Sequence, residues 1–351
     1  MTGLSHISNN QGKQTGGAGV IVGSNIIMGV YEGDAPFVTG NRTDYTSGAW
    51  FLSNGSTLTM RYGAEISNNF AVGLAGGIRA QQTTISMSEN AAIKNNTSNS
   101  DGGGLFMSTG CTAVLDDYAQ VSGNMASSRG GGFYIQNGAV SAASALEITG
   151  STSITDNNAA NGDGGGIYTE DTATYANLST GRGTVFHGNK AISAYVPPAD
   201  ASSLYPNIQF ASTSIADHPL NNYDINYTGG ELLTYHVEYN ANGGTGSYTG
   251  PDVMPGDTDI VRTLEETGIS RPGYTFTGWN TEPNGSGTSY TPGTSIIVTG
   301  NIILFAQWEA NRPIQPPCCI PCNCGCCIPC CRCQCEQRCR SLCSPCLAHR
   351  F

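Results

Sequence analysis

The chain has 351 residues, of which 47 are Gly and only 12% are charged, with a net charge of −11. So low a charge density is unlike that of charge-rich disordered chains, and no run of 18 apolar residues exists to span a bilayer as a helix. The charge is uneven. Residues from 311 onward hold five Arg and one Glu, which leaves −15 on the first 310, a poor surface for neutralising nucleic-acid phosphates.

Met1-Thr2-Gly3-Leu4 has neither the basic region nor the apolar core of a secretion signal. Ile7-Ser8-Asn9-Asn10 is already one copy of a recurring unit. The clearest copy runs Ile154-Thr155-Asp156-Asn157, then a polar loop, then Gly164-Gly165-Gly166-Ile167-Tyr168. The last Asn of each copy falls at Asn10, Asn41, Asn69, Asn96, Asn124, Asn157 and Asn189, and the second Gly at 19, 48, 77, 104, 132 and 166. The Asn-to-Gly separation stays at 7 to 9 while the rest of the repeat absorbs the insertions. A constant corner with variable connections marks a solenoid. The array begins without a polar cap over its first strand edges, so a truncated N-terminus is expected.

Between corners, runs such as Thr57-Leu58-Thr59-Met60 and Thr84-Ile85-Ser86-Met87 alternate at period two, and no window carries an apolar face at helical spacing. About three strands fit one period. The expected fold is all-β: a right-handed parallel β-helix of about seven coils over residues 1–230, roughly 34 Å tall at the usual strand spacing. Gly at a corner permits positive φ and close backbone approach. The repeated Asn suits a ladder in which each amide bonds to the next, satisfying groups that would each lose about 1–3 kcal/mol if buried unpaired.

The Gly-Gly-aliphatic element at 76–78, 103–105, 131–133 and 165–167, with an Asn element in each coil, resembles the repeats of bacterial surface β-helix proteins such as the polymorphic outer-membrane proteins. Ile or Val stands where that family favours Phe. The resemblance implies a fold and a surface setting rather than an activity.

Two candidate sites lie on the rod. Glu89 and Asp117 both stand seven residues before the Asn corner of adjacent coils, which would bring their carboxylates to roughly 5 Å, the separation of a retaining glycosidase pair. No Lys, Arg or His aligns beside them, so catalysis is the weaker reading. After each Gly-Gly, the pleat should turn Ile78, Leu105, Phe133 and Ile167 inward and Arg79, Phe106, Tyr134 and Tyr168 outward, with Trp50 in register one coil earlier. That stripe would stack on sugar rings or anchor a protein, unless it packs under a neighbouring loop.

Past Asn189, Tyr195-Val196-Pro197-Pro198 breaks the pattern, and Ile208-Gln209-Phe210 with Asp224-Ile225-Asn226-Tyr227 reads as a closing coil. Residues 231–310 form a second module. Its Tyr235 start, Asn240-Ala241-Asn242-Gly243-Gly244 turn, Gly273-Tyr274-Thr275-Phe276-Thr277-Gly278-Trp279 centre and terminal Trp308 resemble the internalin-type B-repeat, or Listeria–Bacteroides repeat. The resemblance implies a small β-grasp-like domain with Phe276, Trp279 and Trp308 in its core.

Residues 311–351 are a Pro- and Cys-rich tail holding Cys318, Cys319, Cys322, Cys324, Cys326, Cys327, Cys330, Cys331, Cys333, Cys335, Cys339, Cys343 and Cys346. Thiols this dense suit soft metals, disulfides or cross-links between chains; Cys111 is the one other Cys. The whole reads as a non-enzymatic, extracellular or bacterial cell-surface stalk or adhesin-like binder. Its expected partner is a glycan or another surface protein, with no nucleic acid, no transmembrane segment and no cofactor unless the tail takes a metal. The alternatives are a carbohydrate-active, pectate-lyase-like β-helix enzyme and metal binding by the tail.

Overall fold

The structure is a computed structural model that describes residues 1–137, 145–212 and 214–312. These fall into two compact units. The first comprises Met1–His236 with Asp252–Asp257 and Ile297–Gly300. The second comprises Val237–Pro251, Thr258–Ile296 and the described residues from Asn301 on. Among the described residues, helix is confined to Ala201–Leu204, a 3-10 turn at Ile215–Asp217, and Leu264–Thr267.

The first unit is a parallel β-solenoid of about six turns, with a seventh begun by Val185–His187. Each turn carries four strands, not three, and they stack into four parallel sheets. One runs from His6–Ser8 to Val185–His187, the next from Gln11–Gly12 to Asn158–Ala159, the third from Gly19–Val22 to Ile167–Thr169, and the fourth from Asn25–Met28 to Leu178–Thr180. The strand missed in the sequence is the two-residue piece after each corner Asn, too short to show alternation.

Like residues stack on like down the core. Val38, Ile66, Ile93, Val121 and Ile154 form one buried column, and Met28, Met60, Met87, Leu115 and Ile148 another. Each such side chain contributes about 1.5–3 kcal/mol on burial. The two-residue strands supply small inward groups instead: Thr43, Ala71, Ser98, Ala126 and Ala159.

The corners are explained residue by residue. The position before each ladder Asn is left-handed in all seven copies: Asn9, Gly40, Asn68, Asn95, Gly123, Asp156 and Gly188, with φ between 55° and 67°. Gly, Asn and Asp are the residues that tolerate this conformation. The Gly-Gly pair does a different job, since its φ is not positive. A Cβ on Gly76 would sit 2.5 Å from Gly103 O, and one on Gly104 would sit 2.7 Å from Gly132 O. Successive backbones touch there.

This contact corrects the alignment of the first two coils. Gly48 N bonds Ala75 O and Ala49 N bonds Gly77 O, so Gly48 matches Gly76 rather than Gly77. Ala18 and Ala49 occupy the second Gly position, and the Asn-to-second-position separation becomes 8 in every coil except the one with Asn157 and Gly166.

The closing segment does not wind as a regular coil. Ile208 extends the fourth sheet by a bridge to Thr180, and only afterwards does Ile225 extend the third by a bridge to Ile167. The chain therefore visits these two sheets in reverse order, passing through Ala201–Leu204 and Ile215–Asp217 on the way.

The second unit is a five-stranded sheet in the order Ser247–Thr249, Val237–Asn240, Ile302–Ala310, Tyr274–Asn280, Ser289–Tyr290, with one parallel pair between Val237–Asn240 and Ile302–Ala310. Thr258–Ile260 and Ser295–Ile297 pair separately. Thr263 and Glu266 form a capping box on the helix Leu264–Thr267, and left-handed Gly268 ends it.

Candidate functional site

The Asn corner is a continuous hydrogen-bonded column. Each Oδ1 from Asn41 to Asn189 accepts from both the backbone N–H and the Nδ2 of the Asn one turn earlier, at 2.9–3.0 Å. The second Nδ2 proton goes to a backbone carbonyl, as from Asn96 to Ile66 O and from Asn124 to Ile93 O. Asn10 is exposed, whereas Asn41 through Asn189 are buried. From Asn41 to Asn189 the side-chain amides are occupied on both oxygen and nitrogen, so this buried stretch has no amide left for a ligand.

The outward stripe is also turned to structural use. Strand pairing puts Val20, Phe51, Arg79, Phe106, Tyr134 and Tyr168 in one column. Trp50 pairs with Ile78 in the neighbouring inward column and is only 3% exposed, so it is core and not a surface ring. Phe106 and Tyr134, expected to be exposed, are 4% and 3% exposed. Their rings stack at 4.6 Å, and Tyr134 stacks on Tyr168 at 5.0 Å. Ala75 and Leu74 pack against them. The Arg129 guanidinium lies 5.0 Å from both tyrosine centroids and is held by Asp101 through two bonds of 3.0 and 3.1 Å.

Tyr134 O–H donates to Glu170 at 2.6 Å. Burial, and then that bond, push the phenol far above its ordinary pKa. The hydrogen bonds to Asp101 raise the pKa of Arg129 further still. Half-buried Tyr168, Arg79 at 5.4 Å from the half-buried Phe51 ring, and exposed Val20 are the parts of this column that reach solvent. The roof could not be read in advance, because Arg129 sits in a loop whose path the repeat does not dictate.

Glu89 and Asp117 do come together in adjacent turns, where Asn90 N donates to Asp117 O at 3.2 Å. They line an open groove of about 580 Å³ with Glu32, Tyr62, Asn90 and Tyr118. Tyr62, Glu89 and Asp117 hold φ of 51°, 54° and 43°, followed by Asn90 and Tyr118 at 63° and 64°. The next turn uses Gly150 at the same place. Each bulky left-handed residue costs about 1–2 kcal/mol relative to Gly. No Lys, Arg or His lines the groove, though Arg61 is exposed beside Tyr62. Among the described residues, none of the three carboxylates is ion-paired, and Glu89 Oε2 is shielded without a hydrogen-bond partner. Tyr62 shares the aligned position of Glu89 and Asp117; Tyr118 is what the sequence reading missed, since it falls one place later.

Among the described residues, no group of three or more His, Cys, Asp and Glu is placed to hold a metal. The thirteen tail cysteines, Cys318 to Cys346, lie outside the described residues. Cys111 is fully buried, and burial pushes its thiol up to about 11, so it is not presented as a partner for them.

In the second unit, Trp279 is buried, donates Nε1–H to Arg262 O at 2.8 Å, and meets Tyr239 edge-on at 4.9 Å. Half-buried Phe276 meets it at 4.9 Å and half-buried Trp308 meets Phe276 in turn at 5.7 Å, while Trp308 donates to Ala241 O at 2.8 Å. The core expected from Phe276, Trp279 and Trp308 is therefore centred on Trp279, with Tyr239, Leu304 and Ala306. Residues 235–307 match the family described as the Listeria-Bacteroides repeat domain. This segment is a Listeria-Bacteroides repeat.

Two relatives of the chain come from Evansella cellulosilytica. One, provisionally named a membrane protein, is 32% identical over 101 residues, covering 28% of this chain and 13% of its own length. The other, provisionally named a Gly-rich membrane protein, is 36% identical over 88 residues, covering 22% and 10%. The chain thus spans about an eighth or less of these relatives. No solved structure matches it. Among the described residues, no helix is long and apolar enough to cross a membrane. A surface-type repeat protein, with a Listeria-Bacteroides repeat beside its solenoid, accords with these likenesses.

Proposed function

We propose that the chain is a non-enzymatic stalk of the bacterial cell surface, with the solenoid as its stiff segment and the Listeria-Bacteroides repeat as a spacer. The observation that carries this reading is the Asn column: six consecutive steps with every amide from Asn41 onward satisfied, beside a stripe whose rings pack on one another. Both features invest polar and aromatic groups in holding successive turns together. Glu89 and Asp117 have no Lys, Arg or His among the groove's lining residues, so the pair does not favour a glycosidase or lyase reading. The family match and the relatives' names support the surface setting.

The stalk reading is tested by protease shaving and antibody labelling of intact producing cells, together with product analysis on a panel of acidic and neutral polysaccharides. Surface exposure with no cleavage is expected. Labelling only after lysis, or release of oligosaccharides that Glu89→Gln abolishes, would overturn it.

The thirteen tail thiols fit this reading as a device that joins chains to one another or to a wall component. Full chain purified without reductant should run as multimers that collapse on reduction. Stoichiometric zinc or copper with every tail thiol reduced would replace cross-linking by metal binding.

A further inference from the structure

Glu89 and Asp117 share one groove with Glu32, Tyr62 and Tyr118. We propose that it binds a cationic, Arg- or Lys-rich segment of another polypeptide, with Glu32, Glu89 and Asp117 pairing the charges and Tyr62 and Tyr118 lying under them. The site stands apart from the stalk reading, because a stalk needs no such groove.

Four observations converge. The groove is concave, about 580 Å³, and crosses successive turns of the rod. Its three carboxylates are without ion pairs among the described residues, and one oxygen of Glu89 is shielded without a partner. Two tyrosine rings border the carboxylates, with Tyr118 60% exposed. Finally, the turn keeps Tyr62, Glu89, Asp117 and Tyr118 in left-handed conformations that Gly would adopt freely, as Gly150 does in the next turn. A side chain at such a position carries a backbone cost that Gly would avoid.

Charge decides the class of occupant. A neutral sugar would leave three carboxylates uncompensated beside one another. A guanidinium or ammonium would pair with them and find an aromatic face as well. The rod already uses that chemistry within itself, with Arg42 4.3 Å from the Phe70 centroid and Arg129 5.0 Å from that of Tyr134. The net −15 on the first 310 residues would steer a cation toward the surface in general. The groove must therefore be separated from that background.

The probe is a fluorescein-labelled hexa-arginine peptide, followed by anisotropy with the full chain at physiological salt. Glu32→Gln with Glu89→Gln and Asp117→Asn should weaken binding about tenfold or more, whereas Glu147→Gln with Asp200→Asn and Glu231→Gln, three exposed acids elsewhere, should change it less than about twofold. Tyr118→Gly should weaken binding several-fold. It relieves a left-handed residue, so the unfolding midpoint should not fall and loss of fold cannot explain the effect. Equal weakening by the two triple variants would overturn the proposal in favour of general electrostatic attraction. Retention of a neutral oligosaccharide that competes for the groove would replace the occupant by a glycan.

Discussion

Asn189 donates Nδ2–H to Asp224 Oδ1 at 2.8 Å, so a carboxylate receives the end of the amide column. Asp224 also accepts from Asn221 at 2.9 Å. Desolvation nevertheless outweighs these two bonds and holds its pKa above the usual carboxylate value. The end of the column thus differs chemically from its middle.

Asn96→Leu removes an interior rung. Its Oδ1 takes two donors from Asn69, and its Nδ2 serves Ile66 O and Asn124 Oδ1, all buried. The loss should be about 3 kcal/mol, read as a lower urea midpoint with unchanged slope. A midpoint equal to that of the unaltered chain would refute the column as a source of stability.

Asp224→Ala should matter far less. Asn189 Nδ2 keeps Ile154 O as an acceptor at 2.8 Å, and removal of a desolvated carboxyl offsets part of the lost bond. The net change at neutral pH should stay below about 1 kcal/mol. A loss as large as that of Asn96→Leu would show that the cap, and not the interior, sets the column's strength.

The column was legible because a polar residue at a constant place in every repeat has no other physical purpose in a buried corner. The parallel solenoid followed from it. Three things were not legible. The two-residue strands carry too few side chains to display a period. Trp50 was placed one residue out because Ala18 and Ala49 stand where later coils have Gly, so the Gly pattern slipped while the backbone register did not. Burial of Phe106 and Tyr134 depends on Leu74, Ala75 and the Arg129 loop folding over them, a tertiary event that the strand pattern does not encode. In the second module, the aromatic motif pointed to Trp279, but the burial of Tyr239 beside it required the fold.

Tyr134 separates packing from binding as the purpose of the stripe. Tyr134→Ala should cost about 3–5 kcal/mol, because it empties the centre of a three-ring stack and leaves Arg129 without one of its aromatic faces. Tyr134→Phe should cost about 1 kcal/mol for the bond to Glu170. If thermal unfolding leaves Tyr134→Ala unchanged, the ring is free for a ligand and the packing account fails.

His218 gives the reversed closing segment a pH dependence. The imidazole is buried, its Nδ1 accepts from Leu220 N–H at 3.2 Å, and its edge meets Phe210 at 4.9 Å. Burial lowers its pKa from 6.5 to about 4. Between those values the unfolded chain binds the proton and the folded chain resists it, so stability falls as pH drops from about 6.5 toward 4, by up to about 3 kcal/mol. A proton on Nδ1 would also end its role as acceptor for Leu220. His218→Phe should lower stability slightly at pH 7, by about 1 kcal/mol for that bond, yet flatten the decline across this window. Midpoints measured at intervals from pH 7 to 4.5 should therefore converge and then cross, with His218→Phe the more stable protein at the acid end. Parallel curves would assign the acid sensitivity to other groups.

The last contrast concerns two turns where Gly would be favoured for different physical reasons. Gly103 has ordinary φ, but a Cβ there would collide with Gly131 O and the Met125 backbone, neither of which can yield without parting two turns. Gly103→Ala should therefore lose about 3 kcal/mol or more, or fail to fold. Tyr118 is the opposite case, an exposed left-handed residue whose ring contributes little to the core. Tyr118→Gly should change stability by about 1 kcal/mol, in the stabilising direction, as release of the left-handed strain outweighs the greater freedom of Gly in the unfolded chain. Urea midpoints of the two variants should move in opposite directions. A shared direction would mean that close approach and backbone sign do not distinguish these corners.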